Sequence, residues 1–275
     1  MTENLIYRAP QILLDELGIA DPEDIDVEAI GEYVGATVVY ERLQGCEARI
    51  VGTDRRAIIT VNQDASPPRQ RFSIGHELGH WMHDRGTVAF ACDAETVSSP
   101  WDELLSLEAR ANRYAANLLL PTKMFKPRSA GRPMLFDTVR ALATTFHTSM
   151  TATAIRLVEH GAFPAMIVCF DNTGRKWFLR GPDVPASVWP VDTLGKRTVA
   201  YDLLNGVHTV SPEDVYADQW LARTERNSYT LREDSIKGPA GQILSLLWWV
   251  NEDPLREIAE EDERRAARRS DWRKE

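Results

Sequence analysis

Residues 76–80 read His-Glu-Leu-Gly-His, and the stretch around them carries the punctuation of a helix. Ser66 suits an N-cap, and Pro67 suits the first helical position, where its missing N–H would be unsatisfied anyway. A helix is therefore expected from Pro67 to near Asp84–Gly86. Inside it His76 and His80 stand one turn apart on one face. Both imidazoles then point at one spot, spaced to share a zinc ion at about 2.0–2.1 Å. Glu77 lies roughly 100° further round the helix. Its carboxylate approaches the same spot without being a ligand, where it can take a proton from a metal-activated water.

A catalytic zinc usually takes three protein ligands and leaves its fourth position to water. The next strong helix pattern, WDELLSLEARANRYAANLLLP, is stopped by Pro121. Leu104, Glu108, Ala111, Asn112, Ala115 and Leu119 share one of its faces, which is apolar apart from Glu108 and Asn112. Polar groups on a buried face need partners. Glu108 is the preferred third ligand, and Asn112, one turn on, is placed to hold a ligand histidine by hydrogen bonding. Asp93, Glu95, Asp102 and Glu103 remain competitors for the ligand position. His83, near the same face of the first helix, reads as a substrate-facing or plain helix-end residue, since a fourth histidine ligand would close the site. Gly79 is costly in mid-helix by up to about 1 kcal/mol relative to Ala. Close packing of the Glu108 helix against it would explain its presence. Tyr114 and Arg71 are conceivable oxyanion donors, and neither is assigned.

The rest of the sequence sets the class. The chain has 275 residues, 43% of them hydrophobic and 27% charged, enough to bury a real core. A formal net charge of -9 disfavours generic binding to nucleic acid, because phosphate repels it. Three widely spaced cysteines read as reduced, mostly buried thiols. The N-terminus lacks the pattern of a secretory signal, and the apolar run Ile243–Val250 is far short of the about 20 residues that span a bilayer. A cytoplasmic protein without a membrane partner is expected.

Before the histidine helix, helical spacing is expected over Tyr7–Leu17 and Asp26–Val34, and strands over Ala36–Leu43 and Arg56–Asn62. A short extended piece is expected in TVAFAC. Helices are expected over Phe136–His147 and Ser149–His160. Beyond Gly161, AMIVCF, KWFLR and RTVAYDLL read as strands with turn signals between them. Trp248 and Trp249 read as core, and the charged tail from Glu252 as a solvated terminus.

RFSIGHELGHWMHD followed by EARANRYAANLLLP resembles the ImmA/IrrE family of metallopeptidases. The likeness is specific over the first half. It is weaker over LATTFHTSMTATAIRLVEHG, which is similar to the helix-turn-helix piece that commonly follows in this family. The resemblance implies an α+β chain with a minimal zincin-like peptidase domain over residues 1–125. A helix-turn-helix-like segment over 126–160, a C-terminal α/β domain similar to GAF folds over 161–251 and a charged tail over 252–275 complete the expected division. It also implies His76, His80 and Glu108 as zinc ligands and Glu77 as general base. The implied substrate is a helix-turn-helix (XRE-like) repressor, whose cleavage switches on stress-response or mobile-element genes.

Two rival readings stand beside the peptidase. Between Lys123 and His160, Lys123, Lys126, Arg128, Arg132, Arg140 and Arg156 face only Asp137 and Glu159, a local balance of +4 that can meet DNA phosphate. The second helix there carries Arg156 as its lone cation, so a plain packed hairpin competes. The other rival is a regulator that uses zinc to bind its repressor without cutting it. Glu77 weighs against that reading, because a purely structural zinc has no need of it.

Overall fold

The computed structural model describes residues 7–84, 90–93, 107–208, 211–222 and 229–271. The described residues form a mixed α+β chain in two compact units. One comprises Met1–Arg128 with Ala141–Thr153, and the other Ser129–Arg140 with Ala154–Glu275.

The first unit opens with α1 (Pro10–Glu16) and α2 (Val27–Tyr33). Asp26 caps α2, its Oδ1 accepting from the backbone N–H of Glu28 at 3.0 Å and of Ala29 at 3.1 Å. Then come β1 (Ala36–Glu41), β2 (Cys46–Gly52) and β3 (Ala57–Asn62), the 18-residue α3 (Pro67–Asp84) and β4 (Phe90–Asp93). The sheet order is β1-β3-β2-β4, with β1 parallel to β3 and β2 antiparallel to both of its neighbours. One face of the sheet is apolar: Ala48, Ile50, Ala57, Ile59 and Val61 are all buried. Ile74, Leu78 and Trp81 of α3 are buried as well. The Trp81 indole donates to the Val34 carbonyl at 2.9 Å and so ties α3 to the end of α2.

After α3 come α4 (Leu107–Leu119) and α5 (Thr122–Ser129). Lys123 and Arg128 of α5 pair with Asp15 and Asp21, at 2.7 and 2.6 Å. Thus two cations of the stretch Lys123–His160 are engaged with carboxylates. The helices α6 (Phe136–Phe146) and α7 (Met150–His160) follow, joined through His147 in a left-handed conformation at φ 52°. The Ser149 hydroxyl caps α7, accepting from the Ala152 N–H. No residue of α7 is exposed, and Arg156 is 6% exposed and paired with Glu159 at 3.0 Å. The lone cation of that helix is buried, where phosphate does not reach it.

The second unit is built on β5 (Ala165–Asp171), β6 (Gly174–Arg180), β7 (Glu213–Tyr216), β8 (Thr230–Lys237) and β9 (Ile243–Trp248). They form an antiparallel sheet in the order β6-β5-β9-β8-β7. The central strands β5 and β9 are buried on both faces, which is why AMIVCF and ILSLLW are unbroken apolar runs. Trp249 is fully buried in the same core as Trp220 and Phe170, as the core reading of the tryptophan pair requires.

The segment RTVAYDLL is not a strand but the helix α8 (Val199–Leu204). Its apolar content suggests a strand, while two caps decide its conformation. The Thr198 hydroxyl accepts from the Tyr201 N–H, and the Glu233 carboxylate accepts from the N–H groups of Val199 and Ala200 at 3.1 and 2.7 Å. The next residue, Asp234, accepts from the Phe136 N–H at the start of α6 at 2.7 Å. Neighbours on β8 point to opposite faces of the sheet, so two consecutive carboxylates serve two different helices. The final helix α9 (Asp253–Asp271) docks through Leu255 and is laced by ion pairs such as Arg265–Glu261 at 2.6 Å. Among the described residues, no helix is long and apolar enough to cross a membrane.

Candidate metal centre

The centre is built where two antiparallel helices touch backbone to backbone. A Cβ added at Gly79 would stand 2.7 Å from the Ala111 Cα and 3.0 Å from its carbonyl oxygen. One at Gly75 would stand 3.3 Å from the Cα and Cβ of Ala115. Glycines one turn apart on α3 thus face alanines one turn apart on α4, and any larger pair would push the helices apart. The close packing expected of Gly79 is observed. The matching role of Gly75 and Ala115 went unread, although small residues repeated at a four-residue interval are its signal in the sequence.

This approach brings three donor groups together. His76 Nε2 and His80 Nε2 lie 3.2 Å apart. Oxygens of the Glu108 carboxylate lie 3.1 Å from the first and 3.4 Å from the second. Both histidines are nearly fully buried, whereas the Glu108 side chain keeps 27% of its surface. The two imidazoles beside it hold the Glu108 carboxyl well below the usual carboxylate range. Two donor atoms about 2.0–2.1 Å from one ion, held at a tetrahedral angle, are about 3.3–3.4 Å apart. The two histidine nitrogens have about that separation, and each has its own oxygen of the Glu108 carboxylate beside it, so the three side chains form a group that could hold a small divalent ion.

Asn112 lies one turn beyond Glu108, and its Oδ1 is 2.9 Å from His76 Nδ1. An amide oxygen accepts, so Nδ1 carries the proton and the Nε2 lone pair is left facing the other donors. Glu77, between the histidines, has no exposed surface. His83 stands outside the donor group: its ring packs 4.6 Å from Tyr7 and 6.2 Å from Tyr114. The Arg71 guanidinium donates to the Ile25 carbonyl at 2.9 Å, and Tyr114 is buried at 2% exposure beside Gly79. Of the competing ligands, Glu95, Asp102 and Glu103 lie outside the described residues, as does the side chain of Asp93.

Residues 32–158 match the family model described as Peptidase_M78, IrrE N-terminal-like domain. This part of the chain is similar to the IrrE N-terminal-like domain, in line with the resemblance to the ImmA/IrrE family. The IrrE-like domain contains every residue of the donor group and both helices that carry it. Its family is one of metallopeptidases, and His76, His80 and Glu108 are the group that would hold a divalent ion. A solved structure of a Mycobacterium tuberculosis transcriptional regulator is similar in fold, with a TM-score of 0.57 at 18% identity. That likeness covers 87% of this chain and 74% of the other, so it extends beyond the IrrE-like domain. No curated protein sequence matches the chain.

Proposed function

We propose that this chain is a zinc-dependent endopeptidase that cleaves a helix-turn-helix (XRE-like) transcriptional repressor in the cytoplasm. Its cleavage would release stress-response or mobile-element genes. The observation that carries the reading is the convergence of His76 Nε2, His80 Nε2 and the Glu108 carboxylate on one spot. Zinc bound by these three groups would polarise a peptide carbonyl and acidify a water molecule. Asn112 fixes the ring of His76 through Nδ1. The buried Glu77 carboxylate takes the proton of the attacking water and delivers it to the nitrogen of the leaving amine. A zinc that only held the fold together would have no use for a carboxylate at that position. The regulator of similar fold supports a place in transcriptional control.

The DNA-binding rival loses its main support, because Arg156 is buried and Lys123 and Arg128 are paired with carboxylates.

The test is metal content by mass spectrometry after zinc reconstitution, on wild type and Glu108→Ala, followed by incubation with candidate repressors. About one zinc per chain in the wild type, much less in the variant, and a cut repressor support the reading. Retained zinc with an intact repressor would favour a regulator that binds without cutting.

A further inference from the structure

The donor group lies on two ridges that continue past it. On α3, positions 80, 76, 72 and 68 recur every four residues and follow one line along the helix. On α4, positions 108, 112 and 116 do the same, and the antiparallel contact set by Gly75 and Gly79 lays the two lines side by side. His76 meets Glu108 and Asn112. One turn back, the Phe72 ring packs 6.4 Å from the His76 ring. Beyond it the two ridges part around a cavity of about 20 Å³. Pro68 and Phe72 of α3, Ala116 and Leu119 of α4, Thr148 in the connection before α7 and Ala152 in its first turn line it.

We propose that this cavity is a specificity pocket of the peptidase, taking a small apolar side chain of the substrate. The inference rests on the metallopeptidase reading of His76, His80 and Glu108. Phe72 precedes His76 by one turn, about 5.4 Å along the helix. An extended peptide advances about 3.3 Å per residue. A substrate chain running along the two ridges from the metal centre would therefore reach the cavity within about two or three residues of the bond being cut. Size sets the selection. The space admits one group near the size of a water molecule or a methyl, so alanine enters and phenylalanine does not. The first turn of α7 supplies one wall of this cavity through Ala152.

Short peptide hydroxamates, which chelate a metal without being cut, are the probe. Acetyl-dipeptide hydroxamates carrying alanine, valine or phenylalanine at each position in turn are titrated calorimetrically into the zinc-loaded protein. Zinc content is measured in the same samples. The alanine probe is expected to bind about tenfold or more tighter than the phenylalanine probe at one of the positions. Ala152→Leu, which fills the cavity from α7, is expected to remove that preference while the zinc content stays at the wild-type value. Leu119→Ala, which enlarges the cavity, is expected to admit valine. Equal affinities for all probes, or an unchanged preference in both variants, would overturn the pocket. Zinc retained with no hydroxamate bound would overturn it too and leave the metal centre standing. A wild type that holds no zinc would remove the metallopeptidase reading, and the pocket with it.

Discussion

His76 Nδ1 and Asn112 Oδ1 are 2.9 Å apart, and this one contact fixes which nitrogen of the histidine faces the other donors. Asn112→Ala removes the acceptor and lets the ring turn. Zinc affinity is expected to fall about 10- to 100-fold, the usual cost of losing such a partner. Competition with a fluorescent chelator measures it. Asn112→Asp keeps an acceptor and should restore most of the affinity; an alanine variant with wild-type affinity would assign the contact no role.

Gly79→Leu is expected to lose metal altogether. Even the first side-chain carbon would sit 2.7 Å from the Ala111 backbone. Overpacking of this kind costs about 1–3 kcal/mol or more, and separating the helices also moves Glu108 from the histidines. Gly79→Ala should bind zinc more weakly and melt lower. A leucine variant with full metal content and activity would show that the helices have room to spare.

Glu77→Gln is the variant that separates binding from chemistry. The amide keeps the size of the side chain and cannot take the proton. Zinc content should be unchanged, while cleavage falls by at least about a hundredfold. Retained cleavage would refute the general-base role.

The buried Glu233 is expected to make the fold of the second unit pH-dependent. Complete burial lifts its carboxyl above the usual range, and hydrogen bonds from Trp220, Ser235, Ala200 and Val199 pull it part of the way back. A group whose folded pKa is raised binds its proton more tightly when folded. Its contribution is complete below the ordinary glutamate value of about 4.3 and is lost as pH rises through the higher folded value. Thermal melts across that window should show the wild type losing stability relative to Glu233→Gln as pH rises. Parallel curves for the two proteins would mean that Glu233 ionises as freely in the fold as in the unfolded chain.

The grouping of His76, His80 and Glu108 was legible because its information is local. His76 and His80 need only a helix to converge, and Ser66-Pro67 announces that helix. Glu108 and Asn112 were legible as polar groups on an apolar face. The cavity beside Phe72 was not, since it depends on three helices meeting and no spacing in the sequence records that. β2 went unread because Arg49 and Val51 alternate with Ala48 and Ile50 too briefly to stand out, and β8 because Glu233, Asp234 and Ser235 interrupt its apolar content. The same carboxylate explains the misread α8: its cap lies 33 residues away, on another element.

The donors of the centre come from two stretches of chain, His76 and His80 on α3 and Glu108 on α4. An ion gripping both would close a loop of 28 positions between His80 and Glu108. It would act as a removable staple, restricting the unfolded chain as a cross-link does and raising stability with free metal concentration. Metal supply would then govern how long the protein lasts as well as whether it cuts. A chelator would expose the same chain to unfolding and turnover without touching a residue.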